Sequence, residues 1–96
     1  MPVHYRTSQK GALARWAESV TLDISSNGVS FRGRHALPVG SHIELLIEWP
    51  ALHDEMPLEL HATGLIVRSN TYKTAVGITS HRFNVVDVAP QIRATA

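Results

Sequence analysis

Leu22-Asp23-Ile24-Ser25-Ser26-Asn27-Gly28-Val29 decides how this chain is read, because it joins two runs of alternating polarity through a polar turn. Before it, Val20, Leu22 and Ile24 alternate with Thr21 and Asp23; after it, Val29 and Phe31 alternate with Ser30 and Arg32. A period of two is that of half-buried strands. Asn27-Gly28 supplies residues tolerant of positive φ, and Asp23, Ser25 and Ser26 can turn side-chain oxygens onto nearby backbone N–H groups. The stretch predicts a hairpin. Asp23 and Ser25, two apart, are expected on one face, opposite Leu22 and Ile24.

Working outward, Ser41 to Trp49 is the clearest strand, with Ile43, Leu45, Ile47 and Trp49 on one face and His42, Glu44 and Glu48 on the other. Gly33 to Gly40 before it and Pro50 to Pro57 after it read as loops. Leu58 to Ser69 is a second long strand, apolar on both faces in its second half and so expected to be covered on both sides; Gly64 marks a bulge or sharp bend. Lys73 to Thr79 returns as the last full strand, and His81 to Val86 continues extended with Phe83 and Val85 facing in.

Upstream, Pro2 to Thr7 reads as a short edge strand carrying Val3 and Tyr5 on one face. Leu13 to Ile24 reads as a long strand bent near Ala17 to Ser19, with a two-turn helix over Ala12 to Ser19 as the competing reading. Trp49 is assigned to the core face, and Trp16 is placed in the core as well, with a stacking surface on an open face as its competing reading. About six strands in so short a chain predict an all-β fold, a six-stranded antiparallel barrel, since closure hides sheet edges. The barrel domain is placed at residues 1–86. A tail of residues 87–96 forms at most a short helical turn.

Asp23-Ile24-Ser25-Ser26-Asn27-Gly28 fits a (D/N)xSxxG signature, and with the strand order around it, Leu37-Pro38-Val39-Gly40 and Ala75-Val76-Gly77-Ile78, the chain resembles the PilZ domains, bacterial receptors for cyclic di-GMP. The resemblance spans roughly residues 2 to 86. It implies a six-stranded PilZ-like barrel, a cytoplasmic signalling role, no catalysis, and ligand contacts from Asp23, Ser25 and Gly28, with Arg68 as a supplementary phosphate contact. A carboxylate such as Asp23 can accept from the N1–H and N2–H₂ edge of guanine, Ser25 can add a hydroxyl, and Gly28 lets the base approach the backbone. The competing reading of the same residues is a hairpin turn that holds no ligand, and that of Arg68 is a solvated strand end.

The family's second grip on its ligand is an RxxxR pair before the first strand, where guanidinium forks suit phosphate and stack on purines. Arg6-Thr7-Ser8-Gln9-Lys10 is the nearest match. The residues between Lys10 and Asp23 barely hold two strands of about 5–6 residues and a tight turn, which would leave no place for Val3 to Tyr5. With Pro2-Val3-His4-Tyr5 as the first strand, the pair would fall before Met1. Either it lies on preceding residues, or the chain is a divergent PilZ-like domain that binds a protein in place of the dinucleotide. Cyclic di-GMP, if the arginines exist, and a partner protein or domain for signal output are the expected partners.

Composition narrows the remaining classes. Ninety-six residues make one domain with one core, and the absence of cysteine removes disulfides and thiolate metal sites. A formal charge of +1, with Lys and Arg scattered, provides no broad footprint for DNA or RNA. No apolar run predicts membrane insertion or a secretory leader, which fits a soluble cytoplasmic protein. The six histidines show no metal-ligand spacing, no serine sits in a nucleophile elbow, and no cofactor is expected.

Overall fold

A computed structural model of the chain describes residues 1–9, 12–13, 15–53 and 55–85. Seven strands are formed: β1 (Pro2–Gln9), β2 (Ala12–Leu13), β3 (Ala17–Ile24), β4 (Gly28–Arg32), β5 (His42–His53), β6 (Met56–Ser69) and β7 (Lys73–Val85). The sheet runs β2-β1-β3-β4-β7-β6-β5, and a further pairing of β1 with β5 joins its ends. The six longer strands therefore form a closed antiparallel barrel, with the two-residue β2 as an appendage of β1. No helix occurs among the described residues, and the expected helical turn in 87–96 lies outside them.

Closure makes β1 an interior strand. Val3 stands opposite Ser19 of β3 and Ile47 of β5, and Tyr5 opposite Ala17 and Leu45. The edge-strand expectation for Pro2 to Thr7 is thus corrected: the apolar pair Val3 and Tyr5 is buried, and both flanks are bonded. Alternating residues of the other strands complete the core, among them Phe31 of β4, Ile43, Leu45 and Ile47 of β5, Ile66 of β6 and Val76 of β7. Tyr5 and Phe31 stack with ring centroids 4.5 Å apart. Buried Thr74 is satisfied by Ser69, whose Oγ lies 2.8 Å from its hydroxyl and also accepts the Leu37 N–H at 2.8 Å, pinning the loop before β5 to the barrel.

Three further expectations are corrected. The break in the Leu13 to Ile24 run comes at Arg15–Trp16, ahead of Ala17, and Ala12–Leu13 fold back on Ser8 and Gln9 as strand, not helix. Trp16 is 37 % exposed, with the Arg6 guanidinium 4.3 Å from its ring centroid, while Trp49 does pack against the core. The loop expected over residues 50–57 is corrected where the chain is described: residues 50–53 belong to β5 and residues 56–57 to β6, with a positive φ at Glu55 and a register shift between Trp49 and Leu52.

Strand β3 has the opposite phase from that expected. Ala17, Ser19 and Thr21 are half-buried, whereas Val20 and Leu22 are 42 % and 45 % exposed. A bulge between Thr21 and Asp23 then returns Ile24 to the core. An extra residue in one strand reverses the facing of all that follows it. Leu22 and Asp23 are consequently both exposed, and Leu22 does not oppose Asp23 as its spacing suggested.

Two glycines allow close backbone approach in the barrel. A Cβ on Gly64 would lie 2.1 Å from the Gly77 carbonyl oxygen, and one on Gly28 2.9 Å from that of Val76. The register shifts at Thr63/Gly64, as the central glycine of that strand suggested. Gly64→Ala is expected to cost about 2–4 kcal/mol, because backbone on both sides must move. Urea denaturation should show this as a lowered midpoint; a loss under about 0.5 kcal/mol would mean the contact relaxes freely.

On the outer face, Glu44 of β5 holds Arg6 Nε at 2.7 Å and His61 Nε2 at 2.7 Å. Burial alone would raise its pKa, but the hydrogen bonds and positive charges of Arg6 and His61 hold it below the usual 4.5. A depressed carboxylate adds stability that is complete above the unfolded pKa and disappears as pH falls through the folded one. Melting temperature measured from pH 7 downward should therefore fall more steeply below pH 4.5 in the natural chain than in Glu44→Gln.

Candidate functional site: a small-residue groove beside the hairpin turn

The turn after β3 is closed by backbone and side chain together. Ser25 donates its N–H to the Gly28 carbonyl at 2.9 Å and its hydroxyl to the same oxygen at 3.4 Å. Asn27 in turn accepts the Ile78 N–H at 2.9 Å, tying the turn to β7. Neither Asn27 nor Gly28 has a positive φ, a correction to the sequence expectation; among the described residues only Glu55 and Gly40 do. Gly28 is required for a different reason. It sits where any side chain would meet Val76 backbone.

Outside the barrel, strand register draws one continuous row. Asp23 of β3 pairs with Ser30 of β4, Ser30 with Ala75 of β7, and Ala75 with Arg68 of β6. Directly opposed residues share a face, so the row starts at a carboxylate, crosses two small side chains and ends at a guanidinium. A second row, Gly28 opposite Gly77, runs beside it. The result is an open groove of about 590 Å3 with a floor of Gly28, Ser30, Ala75 and Gly77, walled by Asp23, Ser25, Val67 and Lys73.

Three of the four residues singled out from the sequence, Asp23, Ser25 and Gly28, thus line one groove, while Arg68 lies beyond its lining at the end of the same row. Asp23 is 80 % exposed on its side chain. Its Oδ2 lies 3.7 Å from Lys73 Nζ and accepts a long hydrogen bond, 3.5 Å, from Ser30 Oγ. Arg6 is engaged elsewhere, with Glu44 and Trp16, and takes no part in this groove.

Lys73 and Val67 complete the groove without having been singled out in the sequence. The signal for Lys73 was its place opposite Arg32 when β4 pairs with β7, a pairing between strands distant in sequence. Val67 is raised by the register shift between Ile66 and Arg68, leaving it exposed where a covered face was expected. Chemically, the groove offers an acceptor pair at Asp23, a hydroxyl at Ser25, an exposed cation at Lys73 and an apolar flank at Val67 over a floor of small residues. Among the described residues no group of three His, Asp or Glu side chains is placed to hold a metal ion.

On its other side the same turn borders the barrel mouth, an apolar cavity of about 380 Å3 lined by Ile24, Val29, Trp49, Leu60, Ile78 and Phe83 with Ser25 and Ser26 at its rim. No helix among the described residues is long and apolar enough to cross a membrane. No protein-family model, curated protein or solved structure matches the chain.

An exposed carboxylate with long contacts contributes little to folding. Asp23→Ala is expected to change stability by less than about 1 kcal/mol, whereas Gly28→Ala should cost about 1–3 kcal/mol. Paired denaturant titrations check the contrast; a larger loss for Asp23→Ala would make the carboxylate a structural part of the turn.

Proposed function

We propose that this chain is a PilZ-like, non-catalytic signalling module whose groove receives a guanine of cyclic di-GMP and whose output is a changed contact with a partner protein or domain. The observation that carries the reading is the convergence of Asp23, Ser25 and Gly28 on one small-floored groove of a closed six-stranded barrel. Asp23 would accept from the guanine N1–H and N2–H₂ groups, with Ser25 beside it, and the base would lie over Ser30 and Ala75 against Val67. Lys73, and Arg68 at the far end of the row, would meet phosphate as point charge and fork respectively. With the RxxxR pair missing from these residues, two phosphates meet few cations, so binding by residues 1–96 is expected to be weak.

The missing pair also favours a second reading, a divergent PilZ-like domain that binds a protein and no dinucleotide. Amide chemical shifts recorded during titration with cyclic di-GMP separate the two. Weak ligand binding predicts shifts confined to Ser30, Ala75, Gly77 and the turn, with a Kd weaker than about 1 µM, and their disappearance in Asp23→Ala. Silence of the groove at millimolar ligand would leave the protein-binding reading. Calorimetric affinity tighter than micromolar would show that other cations replace the arginines.

A further inference from the structure

Strand β7 outruns its neighbour on one side. It pairs with β4 only from Lys73 to Gly77, and the last tie there is the Ile78 N–H to Asn27. From residue 79 to Val85 it is held by β6 alone among the described strands, so β5, β6 and β7 form a three-stranded extension past the barrel wall. The inner face of that extension is apolar and open. Phe83 meets Trp49 edge to face at 5.0 Å, yet Phe83 and Val85 remain 49 % and 44 % exposed.

The two edges of the extension differ. Beyond its pairing with β1, which ends at Ile47, β5 carries Pro50, with no N–H to offer, and a register shift between Trp49 and Leu52. Proline and bulges are how proteins guard a sheet edge. The β7 edge has its register shift only at the start of the extension, where Thr79 is the extra residue; from His81 to Val85 its register with β6 is unbroken and it contains no proline. Residues facing one side of a strand turn their N–H groups to the same flank. His81, Phe83 and Val85 share the inward face with Ile78, whose N–H points toward β4, so theirs point to the open edge.

We propose that this edge is a homodimer interface, in which His81–Val85 of two copies pair antiparallel about a twofold axis at Phe83. An isologous interface must be self-complementary, and this register is. A centre at Arg82 would set two arginines opposite each other. A centre at Phe83 sets Phe83 against the partner subunit's Phe83 and Arg82 against the partner subunit's Asn84, with the Phe83 N–H of each copy donating to the other copy's carbonyl oxygen across the axis. The outer face agrees in charge. Glu48, Glu59 and Asn84 form one row across β5, β6 and β7, and His61 and Arg82 belong to the next. The twofold axis runs the acidic row of each copy into the basic row of the other, while the apolar faces carrying Phe83 and Val85 become continuous.

Sedimentation equilibrium of the full chain from about 1 µM to 1 mM tests this. The weight-average mass is expected to rise from 10.6 kDa toward twice that value. Arg82→Glu should weaken association at least about fivefold, and adding Glu59→Arg to it should restore most of the loss, while Arg34→Glu, the same charge change in the loop after β4, should have no effect. Val85→Pro removes an edge N–H without removing a bond to β6 and should abolish the dimer with little change in melting temperature. If Val85→Pro fails to fold, the charge exchange alone decides. A chain that stays monomeric across the range, or a dimer indifferent to both Arg82→Glu and the exchange, overturns the proposal.

Discussion

The barrel depends on one strand being bonded along both flanks. Without β1, strands β3 and β5 would each present a free edge, and Ile43, Leu45 and Ile47 would lose Thr7, Tyr5 and Val3, which lie across from them in that order. Backbone pairing and core packing are therefore the same event here. The residues that close the sheet also fill it, and β1 can slip by no single residue without turning Val3 and Tyr5 outward and His4 and Arg6 in.

Given closure, the groove follows from side-chain size. A small barrel must bend its strands sharply, and Gly28, Gly64 and Gly77 gather where β4, β7 and β6 come closest. Removing side chains from that corner, with only Ser30 and Ala75 beside it, leaves an outer surface without bulk between Asp23 and Val67. Gly28 and Gly77 thus clear the floor on which a flat ligand could rest, while Gly64 lies outside the groove's lining. Asp23, Ser25 and Lys73 stand around that floor on strand ends held by backbone bonds, so their geometry is set by the scaffold.

Much of this was legible in the residues. The all-β class, the facing of β5 and β6, and the register shift at Gly64 followed from period-two alternation and one interior glycine. The phase of β3 did not, because Val20 and Leu22 are as apolar as core residues and the bulge that turns them outward leaves no mark in composition. Pro50 and Pro57 suggested a loop, yet a proline can stand in a strand whose N–H side is unbonded, and the register shift beside Pro50 provides that. Asp23, Ser25 and Gly28 could be marked from their local spacing. Lys73 could not, since its nearness to Asp23 exists only after β4 has found β7.

The register of closure also bears on the order in which the chain assembles. The β5–β6 and β6–β7 pairings are hairpins between neighbours in sequence, and they carry long ladders from Trp49 opposite Leu58 onward and from Ser69 opposite Thr74 onward. Val3 must instead find Ile47, and Phe31 must find Thr74, across long intervening segments. Closing long loops costs entropy before any contact is returned, and non-local pairings are the slow ones. The three C-terminal strands are thus expected to serve as the template, with β1 arriving last, so that the step which seals the core is also the kinetic bottleneck of folding.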